Sequence, residues 1–340
     1  MLERSAADPD QAIDFVVLWV DGNDPVLAEK RNRYMEEEGL SSGHTAALPT
    51  RFASSHEIRY CILSILRFAP FARKIFLVTD GQDPHLDEDM DRYFPDRKTE
   101  VRIVDHSEIF RGHENLLPIF NSTSISSMIW RIEDLAEQFI YINDDNFLLR
   151  PTSAEDWFRE GRPVLRGSWR NPPWKKAFSH RLKRFLKHSV LQKKDYQPRL
   201  SFYLRQWNGA REAGFRKKYF FHDHSPHPLS RTSLERFFAE HKATLLGNAS
   251  YRFRAPEQFL ISALVYHLEL REGNGNLRPL ELLYLHPVYS PSKLQRKLDA
   301  ARSDDSILFA CVQSLEMMEE SFREEVFGWM KEVLELDEER

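Results

Sequence analysis

Cysteine is scarce in this chain. Only Cys61 and Cys311 occur, each inside an apolar pattern and without zinc-ligand spacing, so they suit buried thiols in a reducing compartment. No basic flank followed by an apolar core stands at the start. Residues 1–12 are polar and acidic, and no secretory leader is expected. No apolar run is long enough to cross a bilayer. Charge of either sign is not in excess: a formal net charge of −4 gives no global case for nucleic-acid binding. Neither GxGxxG nor a Walker A motif occurs, so the usual dinucleotide and P-loop readings fail. Internal repeats and low-complexity tracts are also absent. These absences leave a cytoplasmic protein, with peripheral contact at the inner face of the plasma membrane still open.

What is present suffices for a sizeable core: 41% of 340 residues are hydrophobic, enough for one large domain or two smaller ones. The most informative stretch is Phe139-Ile140-Tyr141-Ile142-Asn143-Asp144-Asp145-Asn146-Phe147-Leu148-Leu149. Its β-branched and aromatic run reads as a buried strand that breaks into polar residues. An unpaired carboxylate is costly to bury, which places Asp144 and Asp145 at the strand's carboxyl end, facing a cleft. Adjacent carboxylates repel unless a proton or cation intervenes, and oxygen-only ligands favour Mg2+ or Mn2+. A plain Asn/Asp turn after a strand explains the same residues, and the segment alone does not separate the two readings.

The rest of the first half follows the same grammar. Residues 13–21, 74–81 and 101–106 read as strands running into Asp21, Asp80 and Asp105. A helix is expected over 55–69, where Ile58, Cys61, Ile62, Ile65, Leu66 and Ala69 share a face behind a Ser54/Glu57 capping box. A second is expected over about 124–137. Residues 26–50 read as a short helix and then a mobile loop. Strands alternating with helices give an α/β fold whose mostly parallel sheet carries helices on both faces. Ligands of such sheets bind at the carboxyl ends of the strands, where carboxylate tips would make a negative cleft.

Past Pro151 the composition changes. Between Arg166 and Arg199 stand eleven Lys/Arg and one acid, Asp195. Over 175–191, Phe178, Leu182, Phe185, Leu186 and Val190 fall on one helical face, and Arg181, Lys183, Arg184 and Lys187 on the other. Such a helix lies on an anionic membrane, or packs with a solvated basic rim. Phe221-His222-Asp223-His224-Ser225-Pro226-His227-Pro228 is extended, because its prolines forbid a helix. Its histidines read as a general base beside a substrate, as a zinc site short of ligands, or as a solvated loop. Pro256 is expected at the first position of a helix that buries Leu260, Leu264 and Leu268. Arg254, just ahead, suits an anion or a surface carboxylate. Beyond Leu280, helices are expected at about 304–320 and 321–336.

Four blocks of these motifs, in order, resemble the Stealth family of sugar-1-phosphate transferases. The first is Ile13–Pro25. The second holds Arg51-Phe52, Glu57-Ile58-Arg59-Tyr60, Lys74–Gln82, Leu117–Ser122 and Phe139–Asp145. The third is His224–His227 and the fourth Tyr251–Gln258. The family includes bacterial capsule polymerases and the α/β precursor of the lysosomal-enzyme N-acetylglucosamine-1-phosphotransferase. The resemblance implies a Rossmann-like, glycosyltransferase-A-type core. It also implies a nucleotide-diphosphate sugar donor, UDP-linked first of all, and a divalent cofactor, Mg2+ or Mn2+. The whole sugar-1-phosphate would pass to a hydroxyl of a glycan or lipid-linked glycan in capsular or exopolysaccharide synthesis, releasing a nucleoside monophosphate.

Under that resemblance Asp144 and Asp145 hold the metal, and Arg59, Arg211 and Arg254 neutralise phosphate. His224 takes the acceptor proton, with His227 as second choice. Asp21, Gly22 and Asn121 line the donor pocket, and Asn208 joins the substrate-binding set. Where the family usually has Arg, Glu, His and an acid, this chain has Leu63, Ser126, Trp130 and Gln258, which opens the question of donor identity. The organisation expected is a disordered 1–12, a nucleotide-sugar and metal core over 13–165, an acceptor and catalytic-completion segment with the basic helix over 166–280, and C-terminal helices over 281–340. The alternatives are a metal-dependent glycosyltransferase that releases a nucleoside diphosphate, and a non-catalytic carbohydrate-binding protein at a membrane surface.

Overall fold

The structure, a computed structural model, describes residues 12–40, 56–185 and 201–336. Ser54 of the expected capping box, Arg51-Phe52, the expected loop past Leu40 and the end of the basic stretch lie outside the described residues. The first half runs β1 (Ile13–Leu18), α1 (Pro25–Glu37), α2 (Glu57–Phe68), β2 (Ala72–Thr79), β3 (Glu100–Asp105), α3 (Ser122–Ser126), β4 (Gln138–Asn143) and β5 (Asn146–Leu148). The second half contributes α4 (Trp174–Phe185), α5 (Phe202–Glu212), β6 (His227–Ser230), α6 (Ile261–Arg271), β7 (Leu282–Leu285), α7 (Pro291–Ser303), β8 (Phe309–Val312) and α8 (Glu320–Val333).

The main sheet has the order β6-β4-β1-β2-β3. β1 to β4 are parallel, and β6 joins antiparallel at the edge. Leu18 pairs with both Val78 and Asn143, and Thr79 with Asp105, so the four parallel strands finish level. Side chains alternate between faces along a strand. Phe15 and Val17 therefore pack with Cys61, Ile62 and Ile65 of α2, while Val16 and Leu18 pack with Leu264 and Val265 of α6. Both faces are covered, which is why the strands read as continuous apolar runs. The exception, Asp14, is fully buried but satisfied: it accepts from Arg73 Nε (2.9 Å) and Nη2 (2.6 Å) and from the amides of Lys74 and Ala136.

A three-stranded sheet, β7-β8-β5, abuts the main one. It overturns the expected helix at 304–320. Phe309-Ala310-Cys311-Val312 is a short run buried on both faces, paired parallel with β7 and antiparallel with β5. The helix expected over 124–137 is also shorter, ending at Ser126, with a 3-10 turn at Ile129–Arg131. The hydroxyls of Ser126 and Ser127 bond back to the Thr123 carbonyl and compete with the helical ladder. The apolar positions were read correctly, since Ile125, Met128, Ile129, Ile132 and Leu135 are all buried. Pro256 does not open a helix. Asn208 Nδ2 binds the carbonyls of Pro256, Glu257 and Gln258, holding them in a turn, and α6 starts at Ile261. Among the described residues no helix is long and apolar enough to cross a membrane.

Candidate active site

A cavity of about 590 Å³ lies at the carboxyl ends of the parallel strands. Asp144 and Asp145 stand on its wall because β4 stops at Asn143 and the chain turns before β5. The turn is held from the later part of the chain. Val312 N–H donates to the Asp145 carbonyl (2.9 Å) and Cys311 Sγ to Asp145 Oδ2 (3.6 Å). Asn146 Nδ2 donates to Asp145 Oδ1 (2.6 Å), and Cys61 Sγ to the Asn143 carbonyl (3.8 Å). Both cysteines are thus buried beside this turn, a placement their sequence spacing does not disclose.

Burial pushes the Asp144 carboxyl well above the usual carboxylate range, and repulsion from Asp145 and Glu57 adds to it. Asp145 is pushed up to about 6 by burial, opposed by the Asn146 hydrogen bond and reinforced by Glu57. Among the described residues neither carboxylate forms an ion pair, and no three His, Cys, Asp or Glu side chains converge into a ligand set. The donor chemistry fits a hard cation that keeps waters and binds through one or two carboxylates plus substrate phosphate.

Cationic groups line the same cavity. Arg254 donates to Ser122 Oγ (2.6 Å), and burial lowers its pKa, with Tyr141 and Asp145 acting the other way. Arg205, on α5, donates to Thr123 Oγ1 (2.8 Å). The sequence reading missed Arg205 and chose Asn208 and Arg211 instead. All three recur at a spacing of three on one helix, and only the docking of α5 decides which reaches the cavity.

The histidine segment is held by two devices. Gln206 clamps the His222 backbone, donating to its carbonyl (2.8 Å) and accepting from its N–H (3.0 Å). His222 Nδ1 lies 3.1 Å from the Asp223 carbonyl, which can only accept, so Nδ1 carries the proton and Nε2 accepts from Ser262 Oγ (3.1 Å). The His224 ring lies between Phe202 (4.2 Å, 14°) and Tyr284 (5.6 Å, 18°). Tyr284 belongs to β7, and His286, Val288, Gln313 and Ser314 line the cavity, so the C-terminal part, expected from sequence as helices, supplies a wall of the site. Burial holds the His224 pKa down to about 4, Asp223 opposing. His227 also lines the cavity but packs inward, its Nδ1 3.4 Å from Tyr266 Oη.

Other sequence candidates lie elsewhere. Arg59 forms a two-pronged pair with Asp89 (2.6 Å for each bond) and does not line the cavity. Asp21 and Gly22 form a tight turn, with Asn23 N–H donating to Asp21 Oδ1 (2.9 Å). Arg211 is exposed. Asn121 does line the cavity, but its amide is engaged by Ser124, Tyr251 and Gln258. The departures at Leu63, Trp130 and Gln258 are structural: Leu63 is fully buried, Trp130 stacks on Phe238, and the Gln258 amide donates to Ser124 Oγ and the Asn248 carbonyl. Ser126 lines the cavity. Asp80, expected from sequence as a strand-end carboxylate at the cleft, does line the cavity and pairs with Lys30 (2.7 Å); buried His106, Trp19 and Phe120 line it too.

The buried histidines set an acid limit on stability. Burial holds His222 at about 3 and His106 and His224 at about 4, all below the ordinary 6.5. As pH falls below 6.5 the unfolded chain takes up these protons first. Stability is therefore present at neutrality and lost toward pH 4, the raised Asp144 and Asp145 carboxyls offsetting part of it as they take up protons in the folded state. The unfolding free energy from urea titrations should fall from pH 7 to pH 5, by a few kcal/mol in total. A flat profile would contradict the neutral buried state.

Comparison with known proteins matches the first half of this chain twice. The models of Stealth protein CR1, conserved region 1, and Stealth protein CR2, conserved region 2, cover residues 11–39 and 51–164. The capsular polysaccharide phosphotransferase WcwK of Streptococcus pneumoniae is 30% identical over 72% of this chain and 74% of its own length. An exopolysaccharide phosphotransferase of Streptomyces coelicolor is 38% identical over 43% of this chain, which spans 15% of that protein. A second from the same organism is 42% identical over 43% of this chain and 25% of its own length. Among solved structures, the bifunctional glycosyltransferase WbbM covers 98% of this chain and 51% of its own at TM-score 0.45 and 10% identity.

Proposed function

This chain belongs to the Stealth family, and from that premise we propose that it transfers a sugar-1-phosphate from a nucleotide-diphosphate sugar to a hydroxyl of a glycan acceptor. One observation carries the reading: a single cavity holds two carboxylates without a cationic partner among the described residues, two arginines, and a neutral histidine. The relatives' names supply the setting, capsular or exopolysaccharide synthesis, with a UDP-sugar as first donor to test and a glycan or lipid-linked glycan as acceptor.

A divalent ion, Mg2+ or Mn2+, held by Asp144 and Asp145 would neutralise charge on the pyrophosphate. Arg254 and Arg205 bind non-bridging phosphate oxygens. The acceptor oxygen bonds to the sugar-bound phosphorus, and His224 takes its proton. The bond from that phosphorus to the nucleoside monophosphate breaks, and its electron pair leaves with that group. His224 suits this work because burial keeps it unprotonated, while an adjoining phosphate anion raises its basicity. The flanking rings of Phe202 and Tyr284 fix the plane in which its nitrogens lie.

The nucleotide product tests the reading. Phosphorus NMR of a turnover mixture should show a nucleoside monophosphate and a phosphodiester; a nucleoside diphosphate would instead establish glycosyl transfer. His224→Ala should lower kcat on the order of 10²-fold or more with donor affinity kept. A kcat near wild type would remove His224 from the base role.

A further inference from the structure

The apolar face predicted for the basic helix is unpacked. On α4, Trp174 is 60% exposed, Phe178 70%, Leu182 44% and Phe185 61%. Successive helical residues turn by about 100°, so these four positions fall within an arc of about 80°. The expectation of a packed helix with a solvated rim fails for the described part. Lys175 flanks this face and Lys176 and Lys183 lie on the opposite, polar side of the helix; all three are exposed. The bias extends along the sequence, where residues 174–200 hold nine Lys/Arg against the single acid Asp195. The chain as a whole is acidic, at −4, so the basic charge is concentrated here.

We propose that α4 docks on an anionic lipid surface, burying Phe178, Leu182, Phe185 and the exposed part of Trp174 at the acyl boundary, with Lys175 at the headgroups and the basic polar side of the helix above them. Charge complementarity selects the occupant. Apolar side chains would be buried equally well by a second copy or by another segment of this chain. A lysine rim would not gain from a copy carrying the same lysines, whereas each lysine near an anionic bilayer contributes about 1 kcal/mol. A helix of this size with a cationic border binds at the interface without spanning the bilayer. The root of α4 is fixed to the body. Trp174 meets Trp207 edge-on at 5.7 Å, and Lys176 Nζ lies 3.9 Å over the Tyr203 ring. Both contacts are on α5, the helix that carries Arg205 to the cavity. The inference does not rest on the phosphotransfer reading.

The test is co-sedimentation of the full chain with vesicles of phosphatidylcholine alone and with 30% phosphatidylglycerol, at low and physiological salt. Binding is expected only with phosphatidylglycerol, weakening as salt rises. F178E/L182E should bind at least 10-fold more weakly at an unchanged melting temperature, because both residues are exposed. K175E/K176E should lose most of the salt-sensitive part. Equal binding by wild type and F178E/L182E would overturn the proposal. So would equal binding to both vesicles, concentration-dependent dimerisation without vesicle binding, or a fall in melting temperature of F178E/L182E with binding unchanged, which would mean that the chain itself covers this face.

Discussion

Replacing Asp144 and Asp145 together by asparagine will stop divalent-dependent turnover and raise the melting temperature of the metal-free protein. Two costs are relieved at once. Burial penalises each carboxylate, and each repels the other and feels Glu57. Asp145 lifted to about 6 corresponds by itself to a few kcal/mol at neutral pH. Asparagine keeps the size and one of the two acceptors, for Asn146 in preference to the weak thiol donor of Cys311, without the charge. Melting in EDTA should therefore rise by several degrees. Added Mn2+ should stabilise the wild type and leave the double variant unmoved, because stabilisation by a ligand requires its site. Activity should fall on the order of 10³-fold or more, the loss expected when charge stabilisation of a reacting phosphate is removed. A double variant that still turns over with Mg2+, or melts below wild type in EDTA, would sink the assignment of this turn as a cation site.

Arg254→Met should show the same opposition from the cationic side. Burial penalises the charged Arg254 guanidinium, and its hydrogen bond to Ser122 offsets only part of that cost. Methionine fills similar volume and removes that cost, so urea stability should be kept or raised. Catalysis should fall on the order of 10³-fold in kcat/KM, the scale set by arginines that meet charge on a transferring phosphoryl group. Arg254→Lys keeps the charge but not the two-pronged geometry, and should recover only part of the loss. Arg205→Met, one cation of the same pair, should give a smaller defect. If Arg254→Met unfolds the protein while Arg254→Lys is fully active, Arg254 anchors the Ser122 segment and does not meet phosphate.

Local chemistry and spacing made part of this legible. The run Phe139–Asn143 had to be a strand, and the cost of burying charge placed Asp144 and Asp145 at its end. His224 and Arg254 could be named because prolines keep their segments out of helices and family blocks surround them. Arg59 could not be judged the same way. A single arginine serves phosphate or carboxylate equally well, and Asp89, thirty positions away, captures it. The Ser126 and Ser127 hydroxyls ended a helix whose apolar pattern promised a longer one.

The sequence by itself determined the order of the parallel strands in the first half, the two faces of their sheet and the acidic turn, because periodicity and desolvation act over a few neighbouring residues. Only the tertiary structure decided which arginine of α5 faces inward, that β8 and Tyr284 close the site from the far end of the chain, and that the apolar side of α4 stays uncovered. Each of those depends on which surfaces meet, and pairing between distant segments leaves no mark on either segment alone.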